Sequence, residues 1–174
     1  MRAKFALVVL AGALSNASAT DSPAEEYRVK GAFLLNFTKF VEWPATAWKA
    51  PGDPLSICVL GANPFTPALD QAAKELVVAN RPVAVRQIAD VQSAQKCQVV
   101  FVPVSERKHA RSLIEAVKTE SVLTVGESEG FIASGGVVEF RVEDSKVRME
   151  INADSGKKAG LHISAKLLSL SQKR

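Results

Sequence analysis

The sequence predicts an α/β protein with a Rossmann-like, mostly parallel sheet flanked by helices, an N-terminal helix and a C-terminal antiparallel hairpin. Three observations carry this. Short apolar runs at Leu55 to Leu60, Val99 to Val102 and Val122 to Val125 are too brief for helices and apolar on both faces. Strands of that kind belong inside parallel sheets. Helical stretches separate them, which is the alternation of a doubly wound fold. Near the C-terminus the pattern changes to strict apolar–polar alternation over Gly136 to Val142 and Lys146 to Asn152, with a turn between.

The chain opens with an export signal. Arg2 and Lys4 precede the apolar run Phe5 to Leu14, and Ala17-Ser18-Ala19 is a small-residue cleavage site. The mature chain is expected to start at Thr20, leaving residues 20–174 as one domain. No lipobox cysteine follows, and no later apolar run is long enough to span a membrane. Lys and Arg number 22 against 18 Asp and Glu, and the signal segment removes two of the cations, leaving +2. That dispersed balance points away from nucleic acid.

The stretch from Ser22 to Pro44 carries the first helix, expected from Pro23 to about Val41. Ser22 can cap it, Pro23 fits its first turn, and Glu25 completes a capping-box spacing. Pro44 pushes Trp43 out of the helical region. Val29, Phe33, Phe37 and Phe40 form one apolar stripe, and Tyr27, Gly31, Leu34, Leu35 and Val41 form a second. A helix lying on a domain surface needs only one. Either the helix is clamped inside its own domain, or one cover is a second subunit or a partner protein. The interface reading takes Phe33, Phe37 and Phe40 as anchors, with Trp43 at the margin.

Pro44 to Pro54 is the obvious loop. The strand Leu55 to Leu60 is closed by Gly61, and Asn63-Pro64 is expected to open a helix through about Leu76. Val83 to Ile88 is a second strand and Val99 to Val102 a third. Ser105 is expected to cap a helix with Ala110, Leu113, Ile114 and Val117 inward, before the fourth strand, Val122 to Val125. In the hairpin the apolar faces set the register: Val142 opposite Val147, Phe140 opposite Met149, Val138 opposite Ile151. The other face then opposes Glu139 to Glu150 and Arg141 to Arg148, like charges relieved only by diagonal contacts. Those four residues are either a solvated lattice or, with His162, a polar recognition face for a partner or small charged ligand. A last helix is expected to bury Ile163, Leu167 and Leu170, with Gly160 near its start.

Catalytic patterns are lacking. Gly126 and Gly130 flank the acidic Glu127-Ser128-Glu129, which would repel phosphate, and Gly135-Gly136 fits no nucleotide motif. The two histidines, His109 and His162, lack metal spacing, and no serine sits in a nucleophile elbow. The expectation is a non-enzyme without metal or cofactor. The two cysteines, Cys58 and Cys97, fall in the first strand and just before the third, neighbours in a doubly wound sheet. They can form a disulfide if their Cβ vectors meet, or remain buried thiols.

The segments KGAFLLNFTKFVEWP, LSICVLGANPF, CQVVFVPVSE, VLTVGESEGF, GGVVEF and KVRMEINADSGKKAGLHISAKLLSL occur in that order. Together they resemble the YfiR family of bacterial exported proteins across essentially the whole mature chain. The resemblance implies a periplasmic α/β domain that tends to dimerise. It further implies repression of a membrane-bound diguanylate cyclase through that enzyme's periplasmic portion, relieved when an outer-membrane lipoprotein sequesters the repressor. Cys58 and Cys97 match one disulfide of the characterised branch; its second pair has no counterpart here. The alternative function is a periplasmic small-ligand sensor with a different envelope partner, using the hairpin face, Glu150 and His162.

Overall fold

Helix α1 spans Pro23–Phe40, and its start follows the capping chemistry of the sequence: the Ser22 hydroxyl accepts from the Glu25 N–H at 3.4 Å. The structure is a computed structural model describing residues 22–65 and 67–171, so the expected export signal lies outside the described residues. Strand β1, Val41–Glu42, follows at once and pairs antiparallel with β9, His162–Ile163, in a small separate sheet. That pairing is why the helix stops before Val41 and not at it.

The main sheet has seven strands. In chain order they are β2 (Leu55–Leu60), β3 (Val77–Val78), β4 (Arg81–Ile88), β5 (Val99–Val102), β6 (Leu123–Gly126), β7 (Val138–Glu143) and β8 (Lys146–Ile151). Their spatial order is β3-β4-β2-β5-β6-β7-β8. β4, β2, β5, β6 and β7 are parallel, so the first strand of the hairpin extends the parallel set from four strands to five. The hairpin register is the one the apolar faces demand, and Val138, Phe140 and Met149 are buried. Asp144 and Ser145 both take positive φ, as a two-residue turn matching the strand twist requires. Ala79 and Asn80 do the same in the β3–β4 turn.

The sheet carries a core on each face. On one face Leu34 and Phe37 of α1, together with α2 (Pro67–Lys74), pack over Ile57, Phe101, Val125 and Phe140. On the other face Leu113 of α3 (Ala110–Ala116) packs in one cluster with Leu60, Val100, Val102 and Phe131. Cys58 and Cys97 lie in this second core and are joined, with Cα atoms 6.1 Å apart.

Three helix expectations are corrected. Asn63 does not open α2; its side chain accepts from the Phe65 N–H at 2.9 Å in a local turn, and the helix begins at Pro67. The stretch after Pro103 is a 3-10 turn, Val104–His109, before α3, with Ala110, Leu113 and Val117 buried but Ile114 only partly so. The last helix is two short ones, α4 (Ala153–Lys158) and α5 (Ala165–Leu168), capped by Asn152 and Ser164. Gly160, at φ +73°, and β9 separate them. Ile163 therefore sits in a strand, Leu167 is buried, and Leu170 is exposed.

Candidate functional site

At about 100° per residue, the two apolar stripes of α1 are not opposite faces. They adjoin as one arc of roughly 240°, whose centre holds Lys30, Gly31, Leu34, Phe37 and Thr38, all buried. One shoulder, Tyr27 and Leu35, lies toward Phe65 and Leu69 at α2. The other, Val29 and Phe33, lies toward the β7–β8 hairpin.

The arc's centre carries a lysine, and its environment is built for it. The Lys30 ammonium, 3% exposed, pairs with Glu127 and with Glu26. Glu127, itself 4% exposed, follows directly on β6 and accepts from the Tyr27 hydroxyl at 2.9 Å and the Val104 N–H at 2.7 Å. Burial, together with the bond to the Glu127 carboxylate, drives the Tyr27 phenol far above its ordinary pKa, so it stays a donor. Glu127 thus ties α1 to the C-terminal ends of β5 and β6. Read locally, its sequence neighbourhood was only an acidic loop; a lysine at the centre of an apolar arc was the available signal.

Aromatic rings connect the shoulders through the core. Phe33 lies 5.8 Å from Phe140, Phe140 6.4 Å from Phe101, Phe101 5.0 Å from Phe65, and Phe65 5.6 Å from Tyr27. Phe37, fully buried, stacks on both Phe33 and Phe140. It is therefore core, which corrects its assignment as a contact residue: it has no surface to offer. Trp43 is half-buried, its indole N–H donating to the Gln98 carbonyl at 3.1 Å. Phe40 is half-buried under the Lys166 ammonium, 5.1 Å from its ring centre. Phe33 remains as the half-exposed aromatic on the hairpin side.

The polar hairpin face is largely self-neutralised. Arg141 pairs with Glu139 at 3.0 Å along its own strand and with Glu150 across the hairpin. Glu139 is 3% exposed, and its other oxygen accepts from the Ile132 N–H at 3.1 Å. Glu139 is thus interior, which corrects its place on a recognition face. Of the two diagonals this register allows, Arg141–Glu150 and Glu139–Arg148, the first forms, while Arg148 makes no ion pair among the described residues. His162, exposed and opposite Glu42 in the small sheet, makes no hydrogen bond or ion pair with these charges.

What the structure does bring together is Phe33 and Arg148. They line a groove of about 370 Å³ between α1 and the edge hairpin. Val29 supplies more apolar wall on the helix side, and Val142 and Val147 do so on the hairpin side. Glu25 and Glu26 stand on one rim, Lys146 and Arg148 on the other. Val142 is 51% exposed, although it stands on the apolar face of its strand. Among the described residues no group of histidine, cysteine or acidic side chains is placed to hold a metal, and no helix is long and apolar enough to cross a membrane.

Fold and groove together define a doubly wound α/β domain presenting an apolar cleft with charged rims at its sheet edge. Residues 27–172 match the family model described as YfiR/HmsC-like, and the chain belongs to that family. None of the curated proteins matches it. Among solved structures it is similar to a conserved domain protein from Vibrio cholerae, at 15% identity and a TM-score of 0.50 over 68% of this chain. The match spans 54% of that protein's length, and at this identity it speaks for the fold alone.

Proposed function

We propose that this protein is a periplasmic regulatory binding protein that represses a membrane-bound diguanylate cyclase by contact with that enzyme's periplasmic portion. Family membership supports a regulator with an envelope partner. The observation that carries the contact is the groove, where Phe33 and the exposed Val142 flank a cleft rimmed by Glu25 and Glu26 against Lys146 and Arg148. An apolar floor with charges at its edge is the anatomy of a protein interface. Phe33, Phe40 and Trp43 form the aromatic side of the contact, and a second copy of the chain or an outer-membrane lipoprotein competes for it.

The experiment compares cyclic-di-GMP in the native host with the gene deleted and with the gene carrying Phe33→Asp. Deletion should raise cyclic-di-GMP, and the substitution should reproduce that rise while the purified variant keeps wild-type circular dichroism. Unchanged cyclic-di-GMP on deletion would overturn the function. Full repression by Phe33→Asp would overturn the groove as the contact.

A further inference from the structure

A second cavity, of about 400 Å³, opens at the opposite end of the sheet, beneath the loop that joins β1 to β2. It lies where β2, β5 and β6 begin, so the usual α/β preference for the carboxyl ends of strands does not account for it. Its floor is polar and buried. Ser56 and Gln98 are 3% and 4% exposed, and the Gln98 amide is fully oriented. Its oxygen accepts from the Ser56 N–H at 2.8 Å and its nitrogen donates to the Ala47 carbonyl at 2.9 Å.

Three cations line this cavity: Lys49, Arg86 and Lys96. None forms an ion pair within 4 Å among the described residues, unlike Lys30 or Arg141. Of the two acids in the lining, Asp53 has one oxygen committed to the Lys49 and Ala50 N–H groups, at 3.1 and 2.8 Å. Glu120 has no such bond among the described residues. The wall also holds Trp48, whose indole N–H is buried and unpaired, the one side-chain polar atom of that kind among the described residues. Buried donors are almost always satisfied, so an orphan one beside a polar cavity calls for an acceptor.

We propose that this cavity binds a small anion through its carboxylate or phosphate oxygens. Lys49, Arg86 and Lys96 supply the charge; the Trp48 N–H is sealed off in this structure, with Arg81 4.2 Å over its ring, and a turn of the indole would carry that donor to the bound oxygen. Charge-assisted bonds of this kind suit anionic oxygens, and Glu120 opposes them. The site lies apart from the α1–hairpin groove and does not depend on the regulatory reading.

The test is intrinsic tryptophan fluorescence of the exported protein, titrated with sodium phosphate and separately with sodium citrate, each against sodium chloride at matched ionic strength. A saturable change beyond the chloride control is expected. Saturation with citrate alone identifies a carboxylate ligand, with phosphate alone a phosphate ligand, and with both an oxyanion site of broad tolerance. Arg86→Ala/Lys96→Ala should weaken binding about tenfold or more, and Glu120→Gln should tighten it several-fold. These side chains are at the surface, and Glu120→Gln asks for a gain that a merely misfolded variant cannot give. Responses no different from chloride, or wild-type affinity in both variants, would overturn the site.

Discussion

The buried Lys30–Glu127 pair makes the sharpest demand on stability. Lys30→Met keeps the apolar stem and removes the charge, leaving Glu127 still bonded to the Tyr27 hydroxyl and the Val104 N–H. Glu127→Ala does more harm, because Tyr27, Val104 and Lys30 all lose their acceptor, and Lys30 keeps only Glu26, which is 30% exposed. Removing one partner of a buried pair costs about 3–5 kcal/mol. Lys30→Met should fall at the lower end, ~3 kcal/mol, and Glu127→Ala at the upper, ~5 kcal/mol. For a domain of this size each kcal/mol is worth roughly 2–4 °C, so the melting temperature should drop by about 6–12 °C for Lys30→Met and about 10–20 °C for Glu127→Ala. Urea unfolding followed by circular dichroism, without reductant, measures the loss as a shift in Cm at constant slope. The double variant Lys30→Met/Glu127→Gln should cost about 1–3 kcal/mol less than the sum of its singles, since neither charge is left stranded. Strictly additive costs, or single variants within about 1 kcal/mol of wild type, would refute the pair as the fastening of α1.

Two further outcomes follow from packing. The protein purified without reductant should show no titratable thiol when denatured; closing a loop of 39 residues is worth about 4 kcal/mol, so Cys58→Ala/Cys97→Ala should melt lower by on the order of 10 °C without unfolding outright. Two free thiols in the wild type would count against the bond. The Phe131 ring lies between Gly126 and Gly136, and a Cβ at either would come within 2.3 Å of it. Gly136→Ala should therefore cost about 1–3 kcal/mol, partly recovered by Phe131→Leu; a Gly136→Ala protein with wild-type Cm contradicts that close approach.

The strands were legible because burial on both faces leaves so little ambiguity: Leu55–Leu60 and Val99–Val102 are buried at every position. The hairpin register was legible for the complementary reason, since a slip by one residue would send Phe140 and Met149 to the charged face. What escaped was tertiary. Lys30 and Glu127 stand 97 residues apart, and no local pattern pairs them. Glu139 reads as a surface residue of an alternating strand until the β6–β7 loop folds over it and Ile132 donates to it. The β3–β4 turn has alanine at a positive φ, which carries no turn signal. The C-terminal helix was misread for a different reason: Leu167 and Leu170 keep a helical spacing, but Asn152 and Ser164 are separate caps, and each opens its own helix.

The two stripes of α1 show how a correct pattern can be given the wrong geometry. Counted as separate faces, they require two covers, one of them foreign. Wound at about 100° per residue they merge, and the sheet with its flanking α2 and hairpin covers the centre and part of each shoulder. The demand for a partner then shrinks from a whole face to the parts of the shoulders left uncovered. Phe37 drops out because its ring is spent on the core, while Phe33, on the hairpin side, and Val142 across the groove keep area to lose. Burying such a side chain is worth roughly 1.5–3 kcal/mol, enough for two or three of them to anchor a contact. A change at Phe37 would damage fold and binding together and separate nothing. A change at Phe33, whose ring also touches Phe37 and Phe140, separates them when read beside Val142→Asp, at a side chain that is 51% exposed.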